Sequence, residues 1–148
     1  MYLQISYDGR IVSASGSPYK QVGDHVYLDS YGNVLFELND YGSTYYYDDY
    51  DDDDCIRGKI KRIGSTYFYY YDSDDDSYER GKIKRIGDVY FYYYGDDDYS
   101  YEEGKLKRVG DTYVYYYDDD YSYQKGKPKR VGNTYLYYDD YGRLNRIG

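Results

Sequence analysis

Gly81-Lys82-Ile83-Lys84-Arg85-Ile86-Gly87-Asp88-Val89-Tyr90-Phe91-Tyr92-Tyr93-Tyr94 sets a short basic segment and a tyrosine-rich one on either side of Gly-Asp. Gly-Asp between β-branched residues is a two-residue hairpin signal, because glycine accepts the positive φ that such turns need. With Gly87 and Asp88 as the loop, Ile86 falls opposite Val89 and the remaining register follows. Regular alternation then predicts one face with Arg85 opposite Tyr90, Ile83 opposite Tyr92 and Gly81 opposite Tyr94. The other face pairs Ile86 with Val89, Lys84 with Phe91 and Lys82 with Tyr93.

The same unit recurs along the chain. Residues 58–64, 81–87, 104–110 and 126–132 read Gly-Lys-x-Lys-Arg-Ile/Val-Gly, and residues 142–148 read Gly-Arg-Leu-Asn-Arg-Ile-Gly. Their first glycines are 23, 23, 22 and 16 residues apart. Tyrosine-rich runs at 66–71, 89–94, 112–117 and 134–138 follow the four internal copies. The third copy predicts the same register, with Arg108 facing Tyr113, Leu106 facing Tyr115 and Gly104 facing Tyr117. Gly32-Asn33-Val34 and Val22-Gly23-Asp24-His25-Val26-Tyr27 are degenerate versions. The expected organisation is therefore one repeat domain over 1–148, with degenerate repeats in 1–57 and regular hairpins in 58–148.

Composition explains why the strands need tyrosine. Tyr supplies 31 of the 148 residues, which is about half of the 41% hydrophobic fraction, and there is no Trp. Few aliphatic residues and a net charge of −9 describe chains that stay disordered, but strict periodicity is the mark of a repeat architecture. A Tyr ring over a strand glycine covers bare backbone. Tyr against Ile or Leu is a favourable cross-strand pair, worth roughly 0.2–1 kcal/mol. Arg or Lys over a Tyr face adds about 0.5–1 kcal/mol where exposed. Neither face is purely apolar, so neither need be fully buried. The predicted fold is all-β: tandem antiparallel β-hairpin repeats of about 23 residues each, forming a single-layer or self-closed meander sheet. Tyr-Ser-Tyr after the acidic runs at 96–98 and 118–120 is expected to extend the hairpin and leave the carboxylates at its tip. There they would deter edge-to-edge aggregation.

The chain begins with a tyrosine-type strand at 2–7 and reaches Ile147-Gly148 in the phase of a basic strand. That phase permits pairing of the first strand with the last, or assembly of the protein with itself by strand addition. No apolar run is long enough to span a bilayer. Met1-Tyr2-Leu3-Gln4-Ile5-Ser6 lacks the pattern of a signal peptide. The chain is then cytoplasmic, or secreted or cell-surface if a leader has been removed.

Side chains for catalysis are sparse. His25 is the single histidine and reads as an ordinary strand residue rather than a general base. Cys55 has no partner for an internal disulfide, and no Gly-x-Ser-x-Gly elbow or phosphate loop occurs. The chain does not read as an enzyme. Exposed rows are the candidate binding groups: Tyr67, Tyr69, Tyr90, Tyr92, Tyr113 and Tyr115, interleaved with Arg62, Arg85 and Arg108. The leading reading is a structural or interaction repeat protein, surface-exposed or self-assembling through its terminal strands; in the alternative, such rows stack on sugar rings, which makes a glycan the candidate ligand. The acidic balance weighs against nucleic acid. Asp72, Asp74 and Asp76, with Asp96, Asp98, Asp118 and Asp120, offer oxygen ligands for calcium. No EF-hand starts at Asp72, because Ser77 and Ile83 stand where Gly and Glu are required.

Tyr137-Tyr138-Asp139-Asp140-Tyr141-Gly142-Arg143-Leu144-Asn145-Arg146-Ile147 resembles the YD-type repeats of Rhs proteins, and Tyr7-Asp8-Gly9-Arg10-Ile11 echoes it. In outline the array is also similar to bacterial cell-wall and choline-binding hairpin repeats. Both resemblances imply bacterial surface or secreted hairpin arrays. The absence of Trp removes the cage residues expected of choline binders, so the resemblance transfers no site residue.

Overall fold

The computed structural model describes residues 1–48, 53–118 and 123–148. Among them there are fifteen β-strands, all antiparallel, in two sheets, and no helix long and apolar enough to cross a membrane. The first sheet contains β1 (Tyr2–Ile5), β2 (Ile11–Ser13), β3 (Lys20–Gly23), β4 (Val26–Leu28) and β5 (Val34–Glu37), in the order β2-β1-β5-β4-β3. The second runs in chain order through β6 (Thr44–Tyr46), β7 (Ile60–Ile63), β8 (Thr66–Tyr70), β9 (Ile83–Ile86), β10 (Val89–Tyr93), β11 (Leu106–Val109), β12 (Thr112–Tyr116), β13 (Pro128–Val131), β14 (Thr134–Tyr138) and β15 (Leu144–Ile147). The hairpin meander expected from the repeats is present. The sheet is not closed, because β1 lies between β2 and β5 and does not meet β15. A first strand flanked on both sides has no edge to offer another molecule.

The tight turns follow the glycine signal. Gly87 has φ +56°, Ile86 lies opposite Val89, and Arg85 lies opposite Tyr90. Two residue pairs are all that each such hairpin forms, at β7–β8, β9–β10, β11–β12 and β13–β14. Pairing then passes to the preceding tyrosine strand: Phe68 meets Ile86, Tyr69 meets Arg85 and Tyr70 meets Ile83. Lys84 is the extra residue of a one-residue bulge. Lys61, Lys107, Lys129 and Asn145 take the same place in the other basic strands.

This bulge corrects the predicted faces. Regular alternation would set Ile83 and Ile86 on opposite sides, three residues apart. One extra residue resets the alternation, so both isoleucines are buried and face inward, while Lys84 and Arg85 stay partly exposed. Ile83 therefore does not share a face with Arg85, and Lys84 does not share one with Phe91.

Splaying of each tight hairpin opens a wedge, which tyrosines fill. The Tyr93 hydroxyl donates to the Ile83 carbonyl at 2.8 Å, and Tyr71 donates to the Phe91 carbonyl at 2.9 Å. Their rings meet edge to face at 6.0 Å. Tyr94 and Tyr116 repeat the arrangement one unit later. A second staple runs between units: Lys82 and Lys105 donate to the carbonyls of Gly104 and Gly126. Burial holds the pKa of both lysines below the ordinary value.

The inward face is covered by the first sheet, so one side of the array is a true core rather than half-wet. Leu3, Ile5, Val26, Leu28, Val34 and Phe36 pack with Ile63, Phe68, Ile83, Phe91, Leu106 and Leu136. The Phe36 and Phe91 rings lie 5.7 Å apart. Backbone bonds join the layers where the wedges leave donors open: Ile83 N donates to the Gly9 carbonyl at 3.0 Å and Leu106 N to the Tyr7 carbonyl at 2.7 Å. The equivalent residue of the next unit is Pro128, which has no N–H to satisfy. Gly9 lies directly against the Tyr93 ring, where no Cβ would fit. The covering sheet ends at Glu37, and Thr44–Tyr46 is already the first tyrosine strand of the array.

Two substitutions separate wedge from surface. Tyr93→Phe leaves the Ile83 carbonyl without its donor and is expected to cost about 1–3 kcal/mol. Tyr92→Phe, on the outer face, is expected to stay within about 0.5 kcal/mol. Urea denaturation reads both, and equal losses would contradict the wedge.

Candidate functional site

The face turned away from the covering sheet carries a continuous row of tyrosine and arginine. Strand alternation projects two tyrosines outward from each of β8, β10, β12 and β14, and the bulge projects one arginine from each basic strand. Arg62 lies over Tyr45 at 4.2 Å and over Tyr67 at 5.6 Å. Arg85 lies over Tyr69 at 4.1 Å and Tyr90 at 5.5 Å, and Arg108 over Tyr92 at 4.1 Å and Tyr113 at 5.5 Å. Within a strand the two rings are nearly parallel, with centroids 6.5 Å apart for Tyr67–Tyr69, 6.4 Å for Tyr90–Tyr92 and 6.3 Å for Tyr113–Tyr115. The links join without a break, so every ring has a guanidinium over one face and a phenol edge toward solvent.

All nine tyrosines and arginines expected from the sequence stand in this row. It extends further, through Tyr115–Arg130–Tyr135 and Tyr137–Arg146. Those members were within reach of the same register rule, since the fourth repeat and residues 142–148 keep the arginine in phase. Tyr45 was not, because its strand precedes the first intact basic copy.

Electrostatics set the row apart from the rest of an acidic chain. Arg85 donates from Nη1 to the Tyr90 hydroxyl at 3.2 Å, and Arg108 to Tyr113 at the same distance. These bonds push both guanidinium pKa values up. Among the described residues the ion pairs involve Arg10, His25, Arg57 and Arg143, and none involves an arginine of the row. Beside the row, Lys84, Arg85, Tyr69 and Tyr90 line a groove of about 350 Å³ whose rim includes Asp72.

The acidic segments fold differently from expectation. Among the described residues, those that follow the acidic runs form turns rather than extended hairpin, and Tyr78 curls back to pack against Gly95 and the core. Several carboxylates cap their own turns: Asp72 Oδ1 accepts from Asp74 N at 2.9 Å, and Asp98 Oδ2 from Gly95 N at 2.7 Å. Asp53 accepts from Cys55 N and from Ser73 N and Oγ. The Ser73 and Cys55 amides pull its pKa down to about 2. Among the described residues no three acidic, histidine or cysteine side chains are grouped to hold an ion. Asp72, Asp74, Asp76, Asp96, Asp98 and Asp118 are therefore not brought together, and Asp120 lies outside the described residues. His25 occupies a turn with φ +64°, 3.8 Å from both Asp24 and Glu37, beside a cavity of about 370 Å³. Cys55 is half-buried, and burial pushes its thiol pKa up.

Comparison with known proteins returns no matching family model, no matching curated protein and no matching solved structure.

Burial drives the phenol pKa values of Tyr7, Tyr93 and Tyr116 well above 10.0. A raised phenol favours the neutral form in the folded state, so its contribution is complete below pH 10 and lost as pH rises through the folded value. Alkaline titration is expected to show a late phenolate step that coincides with loss of near-UV dichroism. Complete phenol ionisation with the fold intact would contradict the buried ladder.

Proposed function

We propose that this chain is an interaction repeat protein whose outer face holds an extended carbohydrate across several repeats. The observation that carries the reading is the unbroken tyrosine–arginine row. It is partly exposed along its length, with Tyr67 at 44% and Tyr90 at 41%. Phenol hydroxyls donate and accept, guanidinium edges donate, and half-covered rings offer apolar contact; a sugar chain presents partners for all three. Adjacent strands are about 4.8 Å apart, so a ligand lying across the strands meets the same chemistry repeatedly. Repetition of weak contacts raises affinity by effective concentration.

Binding to an oligosaccharide panel tests the reading. Tyr92→Ala and Tyr115→Ala are each expected to weaken binding by about tenfold, or 1.4 kcal/mol. Tyr31→Ala, exposed but off the row, should bind as the parent does. Equal losses in all three variants, or no sugar bound at all, would remove this function.

A second reading, self-assembly by strand addition, has one observation behind it. β6 pairs with β7 alone, and its three residues are exposed, so its free edge can accept a strand from a second copy. Light scattering over a concentration series should then show mass growing with concentration. A constant monomer mass rules this route out.

A further inference from the structure

We propose that the ligand of the outer face is a linear acidic polysaccharide bearing one anionic group, carboxylate or sulfate, per disaccharide. Successive anions would meet successive Lys–Arg pairs. The inference rests on the carbohydrate reading above and specifies its substrate class.

The pairs are a product of the bulge. One extra residue in a strand lets two neighbouring side chains share a face, and here the two are Lys61 with Arg62, Lys84 with Arg85, Lys107 with Arg108 and Lys129 with Arg130. Lys84 and Arg85 line a single groove with Tyr69 and Tyr90. Each lysine Nζ also lies 5.5–5.8 Å from the ring of a wedge tyrosine, such as Lys84 over Tyr71 and Lys107 over Tyr94.

These cations form no close ion pair among the described residues. The chain has 28 acidic residues against 19 lysines and arginines, yet among the described residues none of these eight cations is within 4.0 Å of a carboxylate oxygen. Asp72 shares the groove with Lys84, and the Glu79 and Glu102 carboxyls feel Lys84 and Lys107 at longer range. Positive charge is gathered along the middle of this face, with aspartates at the turns on both ends of the strands: the acidic runs at one, and Asp88 and Asp111 at the other, where they line a groove with Tyr90, Tyr92 and Arg108. A partner that matches must be anionic and narrow enough to avoid those turns.

Spacing narrows the class. A Lys–Arg pair recurs every two strands, so along the row the charge period is about 9.5 Å, twice the interstrand distance. An extended β-linked sugar chain advances by about this much per disaccharide. Nucleic acid carries charge more densely, roughly one phosphate per 3.4 Å along each strand of a duplex. Most of its phosphates would find no cation here and would face the acidic turns. The phenol hydroxyls between the pairs would serve the intervening uncharged sugar.

Calorimetry on the full chain tests this. The probes are hyaluronan oligosaccharides for carboxylate, monosulfated keratan sulfate oligosaccharides for sulfate, chitin oligosaccharides of matched length as the neutral arm, and single-stranded oligo(dT). Either acidic sugar is expected to bind at least tenfold tighter than the neutral one and to weaken as salt rises. The double variant Lys84→Gln/Lys107→Gln should lose about tenfold for the acidic sugar, with unchanged circular dichroism and unchanged affinity for the neutral arm. Lys125→Gln, in an exposed turn off the face, should behave as the parent. Neutral oligomers binding as well as acidic ones would overturn this inference and leave the carbohydrate reading standing. Binding of no sugar would overturn both, and tighter binding of oligo(dT) than of any sugar would overturn both in favour of nucleic acid.

Discussion

One inserted residue per basic strand is the constraint on which the rest of this structure depends. Without it, Ile83 and Ile86 would point to opposite faces, and neither face could be closed. With it, the array has a dry side and a wet side. The bulge and the splay beside it expose backbone carbonyls that a β-sheet would normally pair, and an unsatisfied buried carbonyl is costly. Tyrosine answers this where phenylalanine could not. Its ring fills the wedge and its hydroxyl reaches the carbonyl, at 2.8 Å for Tyr93 on Ile83 and for Tyr116 on Leu106. The abundance of tyrosine thus has two separate causes: a buried ladder that repairs the backbone and an outer row that faces solvent.

The sequence made the hairpins legible because glycine's φ freedom and the strand period are local rules. Ile86 opposite Val89 and Arg85 opposite Tyr90 needed nothing beyond the Gly-Asp loop. Placement of Tyr67, Tyr69, Tyr90 and Tyr92 with Arg62 and Arg85 followed from the same alternation, since those residues lie close to the turn. The bulge was less accessible, although a signal existed: two isoleucines three residues apart in a strand cannot share a face without an irregularity. Alternation beyond Arg85 was therefore wrong by one residue, and Ile83 and Lys84 exchanged sides.

The covering sheet was hidden for a different reason. Its central pairing is out of chain order, β1 with β5, and non-local pairing leaves little local trace. Composition did carry a hint. Leu3, Ile5, Val26, Leu28, Val34 and Phe36 concentrate aliphatic and aromatic bulk in a quarter of the chain, where the repeats further on are poor in it. A chain short of apolar residues need not spread them evenly; here they are pooled into one lid that closes the inward face of the array. The turns after the acidic runs were misread because Tyr-Ser-Tyr has strand propensity, while burial of Tyr78 and Tyr101 against the core outweighs it.

Wet and dry faces also divide the labour of charge. Aspartates cap turns at one end of the strands, where their hydrogen bonds to backbone amides hold the loops, and lysine and arginine are left for the open face. The guanidiniums of Arg62, Arg85, Arg108 and Arg130 each lie between two tyrosine rings, and the bond from Arg85 to Tyr90 fixes its rotation as well. A side chain ordered before a ligand arrives loses little entropy on binding. The backbone that carries these groups is in turn clamped by Lys82 to Gly104 and Lys105 to Gly126, so the distance between successive cations is set by strand geometry rather than by flexible loops. A surface built this way favours partners with a fixed repeat of their own, because mismatch in period accumulates from one unit to the next while a match is reinforced at every unit.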